Sequence, residues 1–457
     1  MIPDPRERTL ARDLGVSHAG AIVVGTIIGS GIFLVPQEMM QAVGSAPLVY
    51  LAWAVGGLLS FFGVLTYAEL AALKPQAGGE YVYVRDGYGP LAGFLYAWTW
   101  CFIAKPASIA SITTALVRIL GSFPIFGFLS QPISNHSSLS WGQIFAVAAT
   151  LLITLLNYLG VKKAGDFQLV FTLLKIAMIL VIVAVGFSYA QGSLAHFQET
   201  FTGAKGGFAG FMAALVAALW AYDGWNDLTM VSGEVKNPER NLPLALIFGV
   251  GTVAFLYLAV NGAIQYVMPA AAIAASPRPA SDAVSHVIGP AGAGLVAAGM
   301  ALSMLVTLNG TIMSGARVPF AVARDGYFFH ALGSVHPRFR TPSVALIVQA
   351  GLAVILLLLG GSFRQFFSLA IFAEWLFYMI AASTIFIFRR GKVTQSTYRT
   401  WGYPVVPALF ILASAVLLYF TFTENLRYSF WGTLLILAGI PVFYAFSSLR
   451  SRTTHSR

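Results

Sequence analysis

Gly25-Thr26-Ile27-Ile28-Gly29-Ser30-Gly31-Ile32-Phe33 is the stretch on which the reading of this chain turns. It lies in the middle of the first long apolar run, residues 17–41, where a helix crossing a bilayer is deepest. Three glycines between 25 and 31 are a poor filling for a helix interior, since each costs about 1 kcal/mol relative to alanine. Membrane hydrocarbon tolerates interrupted backbone only where protein buries it or a cavity borders it. A helix unwound at Gly29–Gly31 would bare N–H groups at the start of its second half and C=O groups at the end of its first. Those ends form neighbouring anion and cation sites, the pairing that a zwitterion such as a free amino acid requires. A second reading needs no break: Gly25 and Gly29 have the small-xxx-small spacing of a close helix crossing. The stretch alone supports both.

Composition sets the class. Hydrophobic residues are 58% of the 457 and charged residues 10%, against roughly 25% charged in an average soluble domain. So much apolar surface predicts an all-α polytopic membrane protein. Twelve runs are long enough: about 17–41, 46–73, 88–119, 140–161, 166–190, 208–231, 242–268, 288–316, 342–360, 364–389, 404–423 and 429–448. Roughly 20 residues span the hydrocarbon, so the 88–119 run must tilt or project beyond it. The polar segment 1–16 carries Arg6, Arg8 and Arg12 and resembles no cleavable signal.

Placing both ends in the cytoplasm collects nearly all loop cations on that side: Lys74, Arg85, Lys162, Lys163, Lys236, Arg240, the arginines of 317–340, Arg389, Arg390, Lys392, Arg399 and the tail 449–457. Arg118, Lys205, Arg278, Arg364 and Arg427 fall outside, and Lys105 and Lys175 stay in the membrane. This asymmetry predicts the orientation. The net charge of +10 is scattered between apolar runs, with no basic stripe for nucleic acid. The 119–140 loop is external and ends in a polar tract, Ser134 to Ser138, and 317–341 is cytoplasmic and partly helical. The single cysteine, Cys101, excludes an internal disulfide and a cysteine-based zinc site. No metal or cofactor is expected. None of the seven histidines lies mid-span and there is no HExxH, so an intramembrane enzyme is excluded.

The sixth run repeats the anomaly of the first. Leu219-Trp220-Ala221-Tyr222-Asp223-Gly224-Trp225-Asn226-Asp227 puts a glycine, two aspartates and an asparagine near its centre. An ionisable group at that depth costs on the order of 3 kcal/mol and faces the protein interior. Runs 1 and 6 are five spans apart, so a repeated five-helix unit is inserted upside down. Paired interrupted runs of this kind point to an inverted-repeat transporter with a midplane site. The alternative is a polar cluster that only holds the bundle together.

At these residues the chain resembles the L-type amino acid transporters of the amino acid–polyamine–organocation superfamily. The resemblance lies in GTIIGSGIF (25–33), AYDGWN (221–226) with EVKNPERNLPLAL (234–246), LNGTIMSGARVPFAVARDG (308–326), HPRFRTP (336–342), Lys105-Pro106 and FTLLK (171–175). It covers runs 1 to 10 in order. It implies twelve helices: a first five-helix repeat over 17–190, a second, inverted one over 208–390, discontinuous helices 1 and 6, and two further helices over 404–448. It also implies amino acid transport by alternating access, with an amino acid substrate and membrane lipid as the partners.

The same resemblance assigns roles. The substrate carboxylate would dock on backbone at Ser30 and Gly31, with Ile32 adjoining. The α-ammonium would face carbonyls of Ile27, Trp220, Ala221 and Asp223. Trp220 matches the aromatic that closes over the substrate from outside, and Asn226 would hydrogen-bond substrate or the unwound loop. Lys175 matches a lysine standing where sodium-coupled relatives hold sodium, a built-in cation that would make transport sodium-independent. Its expected partners are helix 1 carbonyls and hydroxyls of Thr311 or Ser314. Asp223 matches an aspartate of members that also accept dibasic amino acids; it either pairs with a cationic side chain or only accepts hydrogen bonds from backbone. Glu374 is the candidate partner of Lys105, and Glu234, Lys236, Arg240, Arg324 and Asp325 are candidates for a cytoplasmic gate. Family members that carry a disulfide-linked accessory subunit use a cysteine in the loop between runs 3 and 4. That loop has none here, so no such subunit is expected. Exchange and proton-coupled symport both suit Lys175, and a non-transporting sensor on the same scaffold is the alternative of another class.

Overall fold

The computed structural model describes residues 9–134, 139–360, 363–391, 397–424 and 426–455. Arg6, Arg8, Lys392, positions 135–138 of the external tract and the tail end 456–457 lie outside the described residues. Each of the twelve apolar runs is occupied by helix. In hydrocarbon every backbone group must be satisfied within its own segment, and helix is the solution open to single runs of this length. Among the described residues eight helices are long and apolar enough to cross a bilayer alone, from Ala46–Leu73 to Ser429–Ser448. The first run is a bent pair, Val16–Ile27 and Gly31–Val43, meeting at 40°. Gly207–Ala221 and Ser343–Leu359 are shorter apolar helices.

The helix Val161–Phe187 shows how side-chain pattern fixes orientation. Gln168, Thr172, Lys175, Ile179, Ile182 and Gly186 are buried at alternating spacings of four and three, while Val170, Leu173, Leu174, Leu180 and Val181 are exposed. One face is therefore lipid-facing and the other carries polar groups inward. Val16–Ile27 packs against that inward face and against Pro238–Val267. Gly25 permits the approach: a Cβ there would lie 2.4 Å from Gln168 Nε2 and 2.5 Å from Thr172 Oγ1. Both readings of the opening stretch are thus realised, on different glycines. Gly25 serves a close crossing, and the helix breaks after it, between Ile27 and Gly31.

The third run is one 31-residue span, Pro90–Leu120, containing a π turn over Trp100–Ala104 immediately before Lys105-Pro106. Proline cannot donate to the preceding turn, and a wider turn relieves the clash. That turn brings Lys105 into the protein interior, 5% exposed. An aromatic core anchors the sixth run from the other side, with Trp225 edge-on to Tyr67 at 4.7 Å and Tyr222 beside Tyr257 at 5.0 Å.

Candidate functional site

The first interruption is clean. The helical ladder ends with Ile28 N–H donating to Val24 at 3.1 Å and restarts with Phe33 N–H donating to Ser30 at 3.1 Å. Gly31 and Ile32 open the second half, so their N–H groups precede any intrahelical acceptor. The carbonyl side is met from behind. Lys175 Nζ donates to Gly25 O at 3.0 Å and to Ile28 O at 2.7 Å. Ser303 Oγ donates to Ile28 O at 2.6 Å, and Thr307 Oγ1 to Gly25 O at 3.2 Å. The hydroxyls beside Lys175 are therefore Ser303 and Thr307. The expectation of Thr311 or Ser314 is corrected: all four lie on one stripe of Pro290–Gly315, but the latter two sit one to three turns farther along.

The sixth interruption runs over Tyr222–Asn226, between Gly207–Ala221 and the short helix Asp227–Met230. Gly224 takes φ +108°, a conformation that L side chains rarely adopt. Two groups tie the interruptions together. Thr26 Oγ1 lies 2.9 Å from Gly224 O and 2.6 Å from Ile22 O, so its one proton is shared between the break and its own helix. Tyr257 OH lies 3.1 Å from Ile27 O and 2.8 Å from Ala221 O. One phenol proton is shared between the carbonyls that end the two first halves, and each oxygen keeps a second lone pair.

Between the breaks lies a cavity of about 130 Å³, roughly ten times what one water needs on this measure. Ile27, Ser30, Gly31, Trp220, Ala221, Asp223 and Asn226 all border it. Ile32 is fully buried in the core instead, because a restarted helix turns each residue about 100° from the last. Lys175 is also fully buried and sits behind the first interruption rather than on the wall.

Charged groups crowd the sixth-run side. Lys105 Nζ donates to Asp227 Oδ1 at 2.5 Å, both side chains nearly excluded from solvent, with the ammonium 4.9 Å from the Trp100 ring. Glu374, the expected partner, acts on Lys105 at longer range without an ion-pair contact and accepts from Ser108 Oγ at 3.2 Å. Asp227 prevails because the short helix after the break presents it to the third run. Asn226 accepts from Tyr378 OH at 3.1 Å and donates to Glu80 Oε1 at 3.2 Å. Glu80, on the connecting helix Glu80–Tyr88, is fully buried and also accepts from Tyr96 OH at 2.7 Å. Burial lifts its carboxyl to about 7, against the opposing pull of Tyr96, Tyr67, Asn226 and Lys105.

The network expected to form a gate differs in its pairs. Glu234 meets Arg317 through two hydrogen bonds, 2.7 and 3.0 Å, with neither side chain exposed. Asp325 accepts from Tyr81 OH at 2.6 Å and from Arg85. The N-terminal segment is strapped alongside, Leu14 N–H to Glu234 O at 3.0 Å and Lys236 N–H to Leu14 O at 2.8 Å. Sequence reasoning missed Tyr257, Thr26, Ser303, Thr307 and Glu80. Each is a single polar group whose partner lies more than a hundred residues away or on a break.

Among the described residues no group of three or more histidines, cysteines or acids is arranged to hold a metal ion. A family model described as "Amino acid permease" matches residues 14–446. The chain is 33% identical over 441 residues to the serine/threonine exchanger SteT of Bacillus subtilis (strain 168), covering 95% of this chain and 97% of that protein. It is 31% identical over 448 residues to the human b(0,+)-type amino acid transporter 1, covering 97% of this chain and 89% of that one. It is 30% identical over 450 residues to the mouse Asc-type amino acid transporter 1, covering 95% and 81%. With two interrupted helices closing on one cavity and these relatives along nearly its whole length, the chain belongs to the amino acid permease family, among the L-type amino acid transporters of the amino acid–polyamine–organocation superfamily.

Proposed function

We propose that this protein is a sodium-independent exchanger of L-amino acids, mainly neutral with cationic ones as a second class, working by alternating access. The observation that carries this reading is the pair of loose helix ends on one cavity, with Lys175 engaged on the carbonyls behind it. Free N–H groups at Ser30 and Gly31 suit the substrate carboxylate. Carbonyls of Ile27, Trp220, Ala221 and Asp223 suit the α-ammonium, and Asn226 holds the unwound loop. Trp220 acts as the outer gate. An ammonium already on the Gly25 and Ile28 carbonyls does the work of a bound cation, so sodium has no vacancy to fill.

In this reading 17–190 and 208–390 are the inverted repeats. Segments 404–448 are accessory helices, and 1–16 and 449–457 face the cytoplasm of a cell membrane. The loop cation asymmetry supports the orientation. Cys101, the single cysteine, is buried in the third span, which supports action without a disulfide-linked subunit.

The test is uptake of radiolabelled serine into proteoliposomes. Uptake should rise with amino acid trapped inside and be unchanged when choline replaces sodium. Uptake driven by a pH gradient with empty vesicles would favour proton-coupled symport instead, and dependence on sodium would overturn the built-in cation.

A further inference from the structure

Glu80 does not border the cavity, yet it is a fully buried acid at the head of the helix Glu80–Tyr88. A carboxylate withdrawn from water is costly unless its oxygens are hydrogen-bonded. Here both are: Oε1 accepts from Asn226 Nδ2 at 3.2 Å, and Oε2 from Tyr96 OH at 2.7 Å. Asn226 in turn accepts from Tyr378 OH at 3.1 Å through its side-chain oxygen. The amide that ends the sixth-run interruption is therefore held at its oxygen and at its nitrogen, and Glu80 supplies the nitrogen side from outside the cavity. The backbone carbonyl of Asn226 accepts from Thr229 N–H at 2.8 Å, at the start of the next helix. Fixing this one residue fixes the end of the stretch 222–226, which borders the cavity at Asp223, Gly224 and Asn226.

The same short helix reaches a second place. Tyr81 follows Glu80 and so points about 100° away from it. Its OH donates to Asp325 Oδ2 at 2.6 Å, and Arg85 donates to the same oxygen. Asp325 closes the helix Arg317–Arg324, whose first residue pairs with Glu234. The chain entering Glu80–Tyr88 is wedged between these neighbours. Gly78 N–H donates to Met230 O at 2.9 Å. A Cβ on Gly78 would lie 2.7 Å from Ala321 Cβ, and one on Gly79 2.6 Å from Thr229 Oγ1. Hydrogen bonds and close packing on a rigid element are what carry coupling between separate places. We propose that Glu80 is a positioning residue that holds Asn226, and that the helix it opens ties the sixth-run interruption to Asp325, so that an amino acid settling in the cavity steadies both. This rests on the proposed amino acid exchange and adds to it a residue that touches no substrate.

The experiment measures serine exchange in proteoliposomes, KM against maximal rate, for wild type, Glu80→Ala and Glu80→Gln. Glu80→Ala should raise KM by roughly tenfold, more than it lowers the maximal rate. Glu80→Gln keeps an oxygen for Asn226 and should regain most of that loss. A wild-type KM in Glu80→Ala, with any loss confined to maximal rate and Tm, is what a merely structural residue would give, and it overturns the positioning role. Hydrogen exchange on purified wild type, with and without serine, tests the link in the unaltered protein. Serine should slow amide exchange severalfold over 222–230 and over 78–86 together. Slowing confined to 222–230 overturns the link, and decides the proposal even where Glu80→Ala does not reconstitute. Either contrary result leaves the exchanger reading standing, whereas a wild type that exchanges no amino acid overturns that reading and the proposal with it.

Discussion

In the first run the helix stops between Ile27 and Gly31, and its loose carbonyls are met by an ammonium and two hydroxyls from other helices. In the sixth run it stops over 222–226, and the polar groups there are a carboxylate and an amide on the break itself, with a second carboxylate opening the next helix. The first interruption is backbone served by fixed side chains from behind. The second is backbone flanked by side chains that face the cavity. In the proposed function both interruptions hold the groups that all amino acids share, and the side chains flanking the second add contacts to the rest of the substrate.

The largest expected effect breaks the sixth-run side. Lys105→Ala leaves Asp227 buried without its cation, and loss of one partner of a buried pair costs about 3–5 kcal/mol. Thermal unfolding in detergent should show a steep fall in Tm, with much of it regained when Asp227 is also made apolar. A Tm like that of wild type in the single variant would mean that the pair is not what holds the short helix. The first-run side should give the next effect. Lys175→Ala removes charge-assisted hydrogen bonds of about 1.5–3 kcal/mol each. Exchange should fall by roughly ten- to a hundredfold, and unchanged exchange would dismiss the built-in cation.

A bond common to both interruptions tests whether they move as one. Tyr257→Phe removes a hydroxyl bridging Ile27 and Ala221, worth about 0.5–1.5 kcal/mol net. The apparent KM for serine should rise severalfold with little change in Tm. An effect on stability alone would make Tyr257 a packing residue.

The smallest effect is one of pH. Glu80 is raised by burial from an ordinary 4.5 to about 7. A raised carboxyl contributes stability that is fully present below 4.5 and lost as pH rises through 7. Tm of wild type should therefore decline across that window, and Glu80→Gln should flatten the decline. Parallel profiles would place the titrating group elsewhere.

Much of this comparison was legible from residues. Apolar runs announce themselves by length, and Gly29, Gly31, Asp223 and Gly224 stand out because hydrocarbon penalises them unless a cavity needs them. Lys175 was legible for the same reason, while its reach to helix 1 carbonyls came from the family resemblance. Depth and partner were not. Ser303, Thr307, Thr311 and Ser314 share one stripe, and only the packing of helices says which hydroxyls lie level with Ile28. Lys105 had two acids in reach by composition, and the turn after the sixth interruption selected Asp227 over Glu374. Tyr257 carries no local signal, since a tyrosine in an apolar run looks the same whether it packs or bridges.

The central claim is that loose backbone ends hold both charged groups of a free amino acid. It is tested most directly by competing labelled serine exchange with serine itself, with its decarboxylated amine and with its N-acetyl form. The account predicts competition by serine alone. Equal competition by the amine or by the N-acetyl form would show that one of the two ends holds nothing, and would contradict it.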